Sequence, residues 1–234
     1  MQLITLPSHI GIILDGNRRF SKRLMQEPWK GHEYGAKKVE MVLEWMREFD
    51  IKEITFYAFS YENFNRPKVE ITYLMKLFTT FVSKLLKDKR LDEHQICVKF
   101  IGSLERFSKG LREKMLTVME KTKKYNHYFV NFAMAYGGRI ELVDACKKIA
   151  QKVKQGKLLP QQITEDVFAS CLYVSDSCDL IIRTGGEKRL SNFLPWQGTY
   201  AELIFLDKFW PEFSKEDFVS CLEEYGKRQR RFGT

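Results

Sequence analysis

Short apolar runs alternate with longer stretches of helical spacing along this chain. Runs at 10–14, 54–59, 97–101, 129–135, 180–183 and 202–206 carry few polar breaks, the pattern of strands buried on both faces. Between them, Ala36, Val39, Val42, Leu43, Met46 and Phe49 recur at helical intervals. Val69, Tyr73, Leu74, Leu77, Phe78, Phe81, Val82 and Leu85 trace a wider apolar face. The spacing predicts further helices over 105–124, 140–154, 165–173 and 215–230. Thr164 and Ser214 are placed as N-caps of the last two, with Asp217 three residues beyond Ser214 as in a capping box. This alternation predicts one α/β domain over residues 1–234, a mostly parallel sheet of about six strands flanked by helices on both faces. No linker, repeat or low-complexity stretch divides it. The stripe from Val69 to Leu85 serves as core on ordinary grounds, or as the wall of an apolar tunnel.

In such sheets ligands bind beyond the carboxyl ends of the strands, and the residues with chemistry gather there. The first run delivers Asp15-Gly16-Asn17-Arg18-Arg19-Phe20. Gly16 lets backbone N–H groups approach a ligand, the arginines supply fixed positive charge, and Asp15 can hold a divalent cation that bridges to phosphate oxygens. Asp-Gly-Asn is also ordinary turn chemistry, so the motif alone does not decide. The second run ends in Tyr57-Ala58-Phe59-Ser60-Tyr61-Glu62-Asn63-Phe64-Asn65-Arg66-Pro67, more aromatic than a solvated loop. The fifth ends in Arg183-Thr184-Gly185-Gly186-Glu187-Lys188-Arg189-Leu190-Ser191. Donors on a glycine-rich turn make an anion cradle, with a hairpin-like turn bearing surface charge as the alternative.

Composition narrows the class. Lys+Arg 39 against Asp+Glu 30 gives a net charge of +9, which favours anionic partners: phosphorylated metabolites, nucleic acid or an acidic membrane face. Against a nucleotide or nucleic-acid protein stand the missing Gly-x-x-x-x-Gly-Lys and Gly-x-Gly-x-x-Gly loops, and basic residues spread over helices instead of forming one stripe. Cys97, Cys146, Cys171, Cys178 and Cys221 are scattered, odd in number and without a Cys-x-x-Cys pair, which suits reduced thiols and argues against a zinc site. The opening residues lack the basic flank and apolar core of a signal peptide, and no window approaches the roughly 18 apolar residues of a membrane span. A cytoplasmic protein is expected, with contact at a membrane surface only through an apolar product.

The motifs occur together in one order. His9-x-x-x-x-x-Asp15-Gly16-Asn17-x-Arg19, Ala58-Phe59-Ser60-x-Glu62-Asn63-Phe64-x-Arg66-Pro67, Tyr136-Gly137-Gly138-Arg139, the segment from Asp179 to Phe193, Trp196-Gln197 and Tyr200-Ala201-Glu202-Leu203 span nearly the whole chain. The sequence resembles the cis-prenyltransferases, the undecaprenyl and dehydrodolichyl diphosphate synthases. That resemblance implies magnesium-dependent condensation of isopentenyl diphosphate onto an allylic prenyl diphosphate, with a new Z double bond and an apolar tunnel for the growing chain. It places the allylic diphosphate on Gly16, Asn17, Arg19 and Arg66, with Arg18, Phe20, His32 and Phe64 in the same substrate neighbourhood. Asp15 would hold Mg2+ and assist departure of diphosphate, with Glu202 contributing to the metal site. Arg183, Arg189 and Ser191 would bind isopentenyl diphosphate, and Ser60 and Asn63 would assist proton removal and orientation.

The resemblance also implies a homodimer in which Arg231-x-Gly233 completes the partner's site, where charge alone suggests a solvated basic tail. An inactive partner subunit would have lost Asp15 and the arginines, which this chain keeps. His9, opening the first strand, suits a structural hydrogen bond, and His94 and His127 suit the surface. Three positions depart from many bacterial members: Arg18 replaces a small residue, Pro28 a phosphate-binding arginine, and Tyr61 a serine. Through Tyr61 and Pro28 the family variant that prenylates a different small acceptor, or makes short or irregular products, stays open.

Overall fold

A computed structural model describes residues 5–228. In chain order the elements are β1 (His9–Ile13), α1 (Asn17–Arg23), α2 (Gly31–Glu48), β2 (Glu53–Ser60), α3 (Lys68–Leu85), α4 (Arg90–Glu93) and β3 (Ile96–Ile101). They continue with α5 (Lys109–Thr122), β4 (Tyr128–Tyr136), α6 (Gly138–Lys154), α7 (Glu165–Ala169), β5 (Leu180–Arg183), β6 (Glu202–Phe205) and α8 (Lys215–Lys227). The six strands form one sheet, ordered β3-β4-β2-β1-β5-β6, and every ladder is parallel. Because β2 lies on one side of β1 and β5 on the other, the order reverses at β1. The carboxyl end of β1 is therefore the crevice where such sheets take ligands.

Strand alternation sends side chains to two cores. Ile10 and Ile12 of β1, Ile54 and Phe56 of β2, and Val130 and Phe132 of β4 face one layer, meeting Val42 and Met46 of α2, Val82 of α3, Met115 of α5 and Phe218 of α8. Ile13, Tyr57, Ala133 and Ile181 face the other way, against Tyr136, Phe193 and Leu194. His9 is spent on structure: buried, its Nε2 lies 2.8 Å from Thr55 Oγ1 and its Nδ1 3.2 Å from the Ser177 carbonyl. Among the described residues no helix is long and apolar enough to cross a membrane.

The element boundaries differ from expectation where caps intervene. The helix expected over 105–124 opens only at Lys109, because Ser108 accepts from Leu111 N and starts it, and a separate short turn covers Leu104–Arg106. The helix expected over 165–173 ends at Ala169. The motif expected after the first strand, Asp15 to Phe20, runs into a helix, Asn17–Arg23, entered through Gly16 at φ 102°. Ser214 and Asp217 form the expected capping box, and Thr164 accepts from Val167 N.

Candidate active site

Asp15 stands two residues past the end of β1, with its backbone carbonyl fixed from two sides. Thr184 Oγ1 donates to it at 2.8 Å and Trp210 N at 2.9 Å. Trp210 is fully buried, and its Nε1 donates to the Gly35 carbonyl at 2.9 Å, which ties this turn to α2. The carboxylate itself faces outward at 29% exposure, between Arg183 Nη2 at 2.8 Å from Oδ2 and Arg19 Nη2 at 3.2 Å from Oδ1. Two glycines make this approach possible. A Cβ at Gly16 would sit 2.8 Å from Phe209, and one at Gly185 would sit 2.6 Å from Arg19 Nη2 and 3.2 Å from Asp15. Both glycines have positive φ, so any other residue meets steric and conformational penalties together.

Arg183 closes β5 almost entirely buried, with both Nη groups paired and its Nε left without a partner. Nη1 donates to Ser191 Oγ at 2.8 Å and to the Arg189 carbonyl at 2.5 Å. The Ser191–Asn192 turn it holds has positive φ at both residues, a conformation that non-glycine residues keep only when their surroundings impose it. Glu141, three residues past the Gly138 whose N–H bonds the Asn192 carbonyl, is a residue the sequence reading passed over. This buried carboxylate accepts from Tyr173 N at 2.8 Å, Gln197 Nε2 at 3.0 Å and the Tyr136 hydroxyl, and burial pushes its pKa up. The clamp on that turn is made by Gly138 N, which donates to the Asn192 carbonyl at 2.8 Å, and by the Tyr57 hydroxyl, which donates to the Ser191 carbonyl at 3.2 Å, while Glu141 ties Tyr136 to Gln197. Asn192 completes the clamp, accepting from Arg139 N at 2.9 Å.

Glu70, in the first turn of α3, is a second residue the sequence reading missed. It is 1% exposed and gathers three basic groups: Arg66 Nη1 at 3.0 Å, His32 Nε2 at 3.5 Å and Arg18 Nε at 3.6 Å. His32, then the Arg66 and Arg18 charges, hold its carboxyl below the usual range against the opposing effect of burial. His32 is shifted the other way, below the ordinary imidazole value, chiefly by burial. The available signal was the i,i+4 spacing of Arg66 and Glu70 across the helix-opening Pro67.

Two hollows meet at these residues. One, of about 610 Å³, runs from Asp15, Ser60, Asn63 and Ser191 inward to Leu77, Phe78, Phe81, Phe132 and Met134, between the sheet and α2 and α3. This is the apolar tunnel, and it makes the stripe on α3 a tunnel wall as well as core. The other, of about 440 Å³, is lined by Gly16, Arg18, Arg19, Lys22, Glu187 and Arg189. Asp15, Asn17, His32 and Arg66 belong to both. Ser60 and Asn63 are locked at the tunnel mouth by a reciprocal capping box, in which Ser60 N donates to Asn63 Oδ1 at 3.1 Å.

Some expected residues lie elsewhere. Phe20 packs edge-on against Tyr34, with ring centroids 5.3 Å apart, and Phe64 packs on Phe59 at 4.9 Å beneath the Arg106 guanidinium; neither lines either of these two hollows. Tyr61 also lies under Arg106, off the tunnel wall, so its bulk does not narrow the mouth. Arg231 and Gly233 fall outside the described residues.

The profile of the family described as "Putative undecaprenyl diphosphate synthase" matches residues 13–233. The chain belongs to this prenyltransferase family. A tritrans,polycis-undecaprenyl-diphosphate synthase (geranylgeranyl-diphosphate specific) of Pyrococcus horikoshii is 47% identical over 230 residues, covering 97% of this chain and 87% of that one. The enzyme of the same description from Methanocaldococcus jannaschii is 44% identical over 232 residues, covering 97% and 83%. Among solved structures, lavandulyl diphosphate synthase from Lavandula x intermedia, in complex with dimethylallyl diphosphate, superposes with TM-score 0.92 at 33% identity, covering 98% of this chain and 99% of that one. A probable undecaprenyl diphosphate synthase from Campylobacter jejuni gives TM-score 0.82 at 32% identity, covering 99% and 100%.

Within one copy of the chain, Asp15 and Glu202 do not come together as the expected metal pair. Glu202 opens β6 in register with Leu180, which is itself in register with Ile10. Asp15 is five residues farther along that direction, so the two lie at opposite ends of the sheet, about 16 Å apart by strand rise alone. Glu202 Oε2 instead accepts from Arg228 Nη1 at 2.6 Å. Among the described residues, no three His, Cys, Asp or Glu side chains gather as a metal cage. Asp15 fits a different kind of site: Mg2+ is commonly held by one or two carboxylates plus substrate phosphate oxygens, and this carboxylate is partly exposed where both hollows meet.

Proposed function

We propose that this chain condenses isopentenyl diphosphate onto an allylic prenyl diphosphate, adding Z units to give a polyprenyl diphosphate of the undecaprenyl class. The relatives' names support geranylgeranyl diphosphate as primer. The observation that carries this reading is the shared wall: a basic hollow fit for diphosphate opens through Asp15, Asn17, His32 and Arg66 into a dry tunnel fit for an isoprenoid chain. No basic nucleotide-binding protein needs the second compartment.

The residues divide the work. Arg19 and Arg66, with the Gly16–Asn17 backbone and the charge of Arg18, hold the allylic diphosphate at the tunnel mouth, with the hydrocarbon directed inward. Arg183, Arg189 and Ser191 hold the isopentenyl diphosphate across Asp15. Bond formation joins the allylic C1 to the acceptor's terminal methylene carbon as the allylic diphosphate leaves, and a proton is then lost from the acceptor's C2. Ser60 and Asn63, fixed by their capping box, orient that end of the acceptor for proton removal. Mg2+ bound by Asp15 and diphosphate oxygens would supply charge neutralisation of the leaving group. Phe59 and the tunnel wall exclude water from the allylic cation. Two copies would pair, each tail serving the other's site, and an apolar product would bring the enzyme to a membrane surface.

Purified protein, magnesium, labelled isopentenyl diphosphate and primers of several lengths test the reading directly. Z-configured products longer than the primer are expected. Transfer to a non-diphosphate acceptor in preference to isopentenyl diphosphate would overturn the chain-elongation assignment.

A further inference from the structure

Phe81 is shared by the tunnel and a second, smaller hollow that opens toward the surface between α2 and α3. Phe81 lines both the 610 Å³ tunnel and a small hollow of about 40 Å³ whose apolar wall is Leu43, Leu85, Leu91 and Ile96. The outer rim is charged. Lys84 Nζ lies 2.8 and 2.7 Å from the two carboxylate oxygens of Glu40, and Arg90 Nη1 lies 2.5 Å from Glu44 Oε1. Both pairs strap α2 to the chain at or just beyond the end of α3. Their lysine and arginine are 60% and 44% exposed, and pairs this exposed contribute only about 0–1 kcal/mol each. Phe81 is itself half-buried, edge-on to Phe132 at 5.3 Å. Phe81, the small apolar hollow it shares and two weak straps therefore stand between the tunnel and solvent on this side.

Taking the proposed undecaprenyl-class product as given, the tunnel is short. Leu74 and Val82, which bracket its wall on α3, are about 12 Å apart along the helix. An extended chain of eleven isoprene units spans on the order of 50 Å at the rise per bond of an extended backbone. Such a chain either folds back several times inside the tunnel, which requires α2 and α3 to part along their length, or leaves on the Phe81 side. Leaving requires a rotamer change at Phe81 and the loss of two exposed ion pairs. We propose that the far end of the growing isoprenoid chain passes Phe81 and emerges between α2 and α3 across the Glu40–Lys84 and Glu44–Arg90 pairs.

Blocking the outer hollow tests this without touching the tunnel wall. Leu43→Trp fills it from α2, and the main product should shorten by at least one isoprene unit while the rate of the first condensation is unchanged. Should Leu43→Trp fail to fold, Glu40→Cys can be purified folded and then coupled to a bulky maleimide; wild type treated alike controls for the exposed Cys146. The adduct should shorten products in the same way. Wild-type product lengths in a folded Leu43→Trp protein, or in the fully coupled adduct, overturn the outlet. An untreated wild type that makes no Z-prenyl products would instead overturn the proposed activity, so the two failures are read in different samples.

Discussion

Arg183 Nη2 lies 2.8 Å from Asp15 Oδ2, joining the ends of two neighbouring strands through the one carboxylate among the described residues that borders both hollows. The arginine is 5% exposed and the aspartate 29%, so the pair is buried on one side and open to a ligand on the other. Asp15 is thus oriented before substrate arrives, with its charge compensated by Arg183 and Arg19 until diphosphate competes for those cations. Asp15→Ala is expected to cut turnover by about two to three orders of magnitude, the scale of losing a preorganised electrostatic contact, with a much smaller change in primer affinity. Steady-state kinetics with primer-binding measurements check this; near-normal turnover would show that Asp15 has no part in the chemistry.

Arg183 and Arg189 differ in setting despite their common expected role. Arg183 holds Ser191 and Asp15, so its removal disturbs the turn as well as the ligand. Arg189 is 59% exposed and paired with Glu187, so Arg189→Gln is the cleaner test. It should raise KM for isopentenyl diphosphate about tenfold, equivalent to about 1.4 kcal/mol, with little change in KM for the primer. Equal increases for both substrates would count against separate diphosphate sites.

Much of this arrangement was legible in the sequence because apolar runs report buried strands directly, and all six runs became strands of the parallel sheet. What the runs deliver at their carboxyl ends also read correctly as one neighbourhood for Asp15, Ser60, Arg66 and Arg183. Three things were hidden for physical reasons. Asn17–Arg23 is polar and short, so no apolar period marks it as a helix. Glu70 and Glu141 look like solvated helix residues until packing reveals their buried cations and donors. Glu202 sits at a strand start, and only the register of β5 and β6 shows that this is the wrong end of the sheet for Asp15.

The buried His32 gives a pH signature. Its pKa is lowered in the folded state, chiefly by burial, so between that value and the ordinary 6.5 the unfolded chain binds more protons. Its contribution to stability is therefore complete above about pH 6.5 and is lost as pH falls below it. Glu70 stays ionised through that window, since its own pKa is lowered from the ordinary carboxylate value. The difference in thermal midpoint between wild type and His32→Gln, measured without substrate, should shrink as pH falls below 6.5. A difference independent of pH would show that His32 titrates alike in both states.

Product length should respond to volume along the tunnel. Ala58 lines it near the mouth and Phe81 lines it beside the smaller hollow. Ala58→Leu should shorten the products and Phe81→Ala should lengthen them, each read by chromatography of the dephosphorylated chains. Unchanged distributions in both variants would return the α3 stripe to plain core.

The C-terminal tail should act on a second copy of the chain. Arg228, at the end of α8, donates to Glu202, at the end of the sheet opposite Asp15. A symmetric pair, the commonest closed assembly, can bring each tail to the other's diphosphates. Deleting 231–234 should leave the fold and the dimer intact, seen by circular dichroism and light scattering, while activity falls sharply. Mixing that truncated chain with an Asp15→Ala chain should restore part of the activity, because a mixed pair holds one intact Asp15 served by one intact tail. Full activity in the truncated protein alone, or a wild-type monomer active at assay concentration, would defeat the shared-site arrangement.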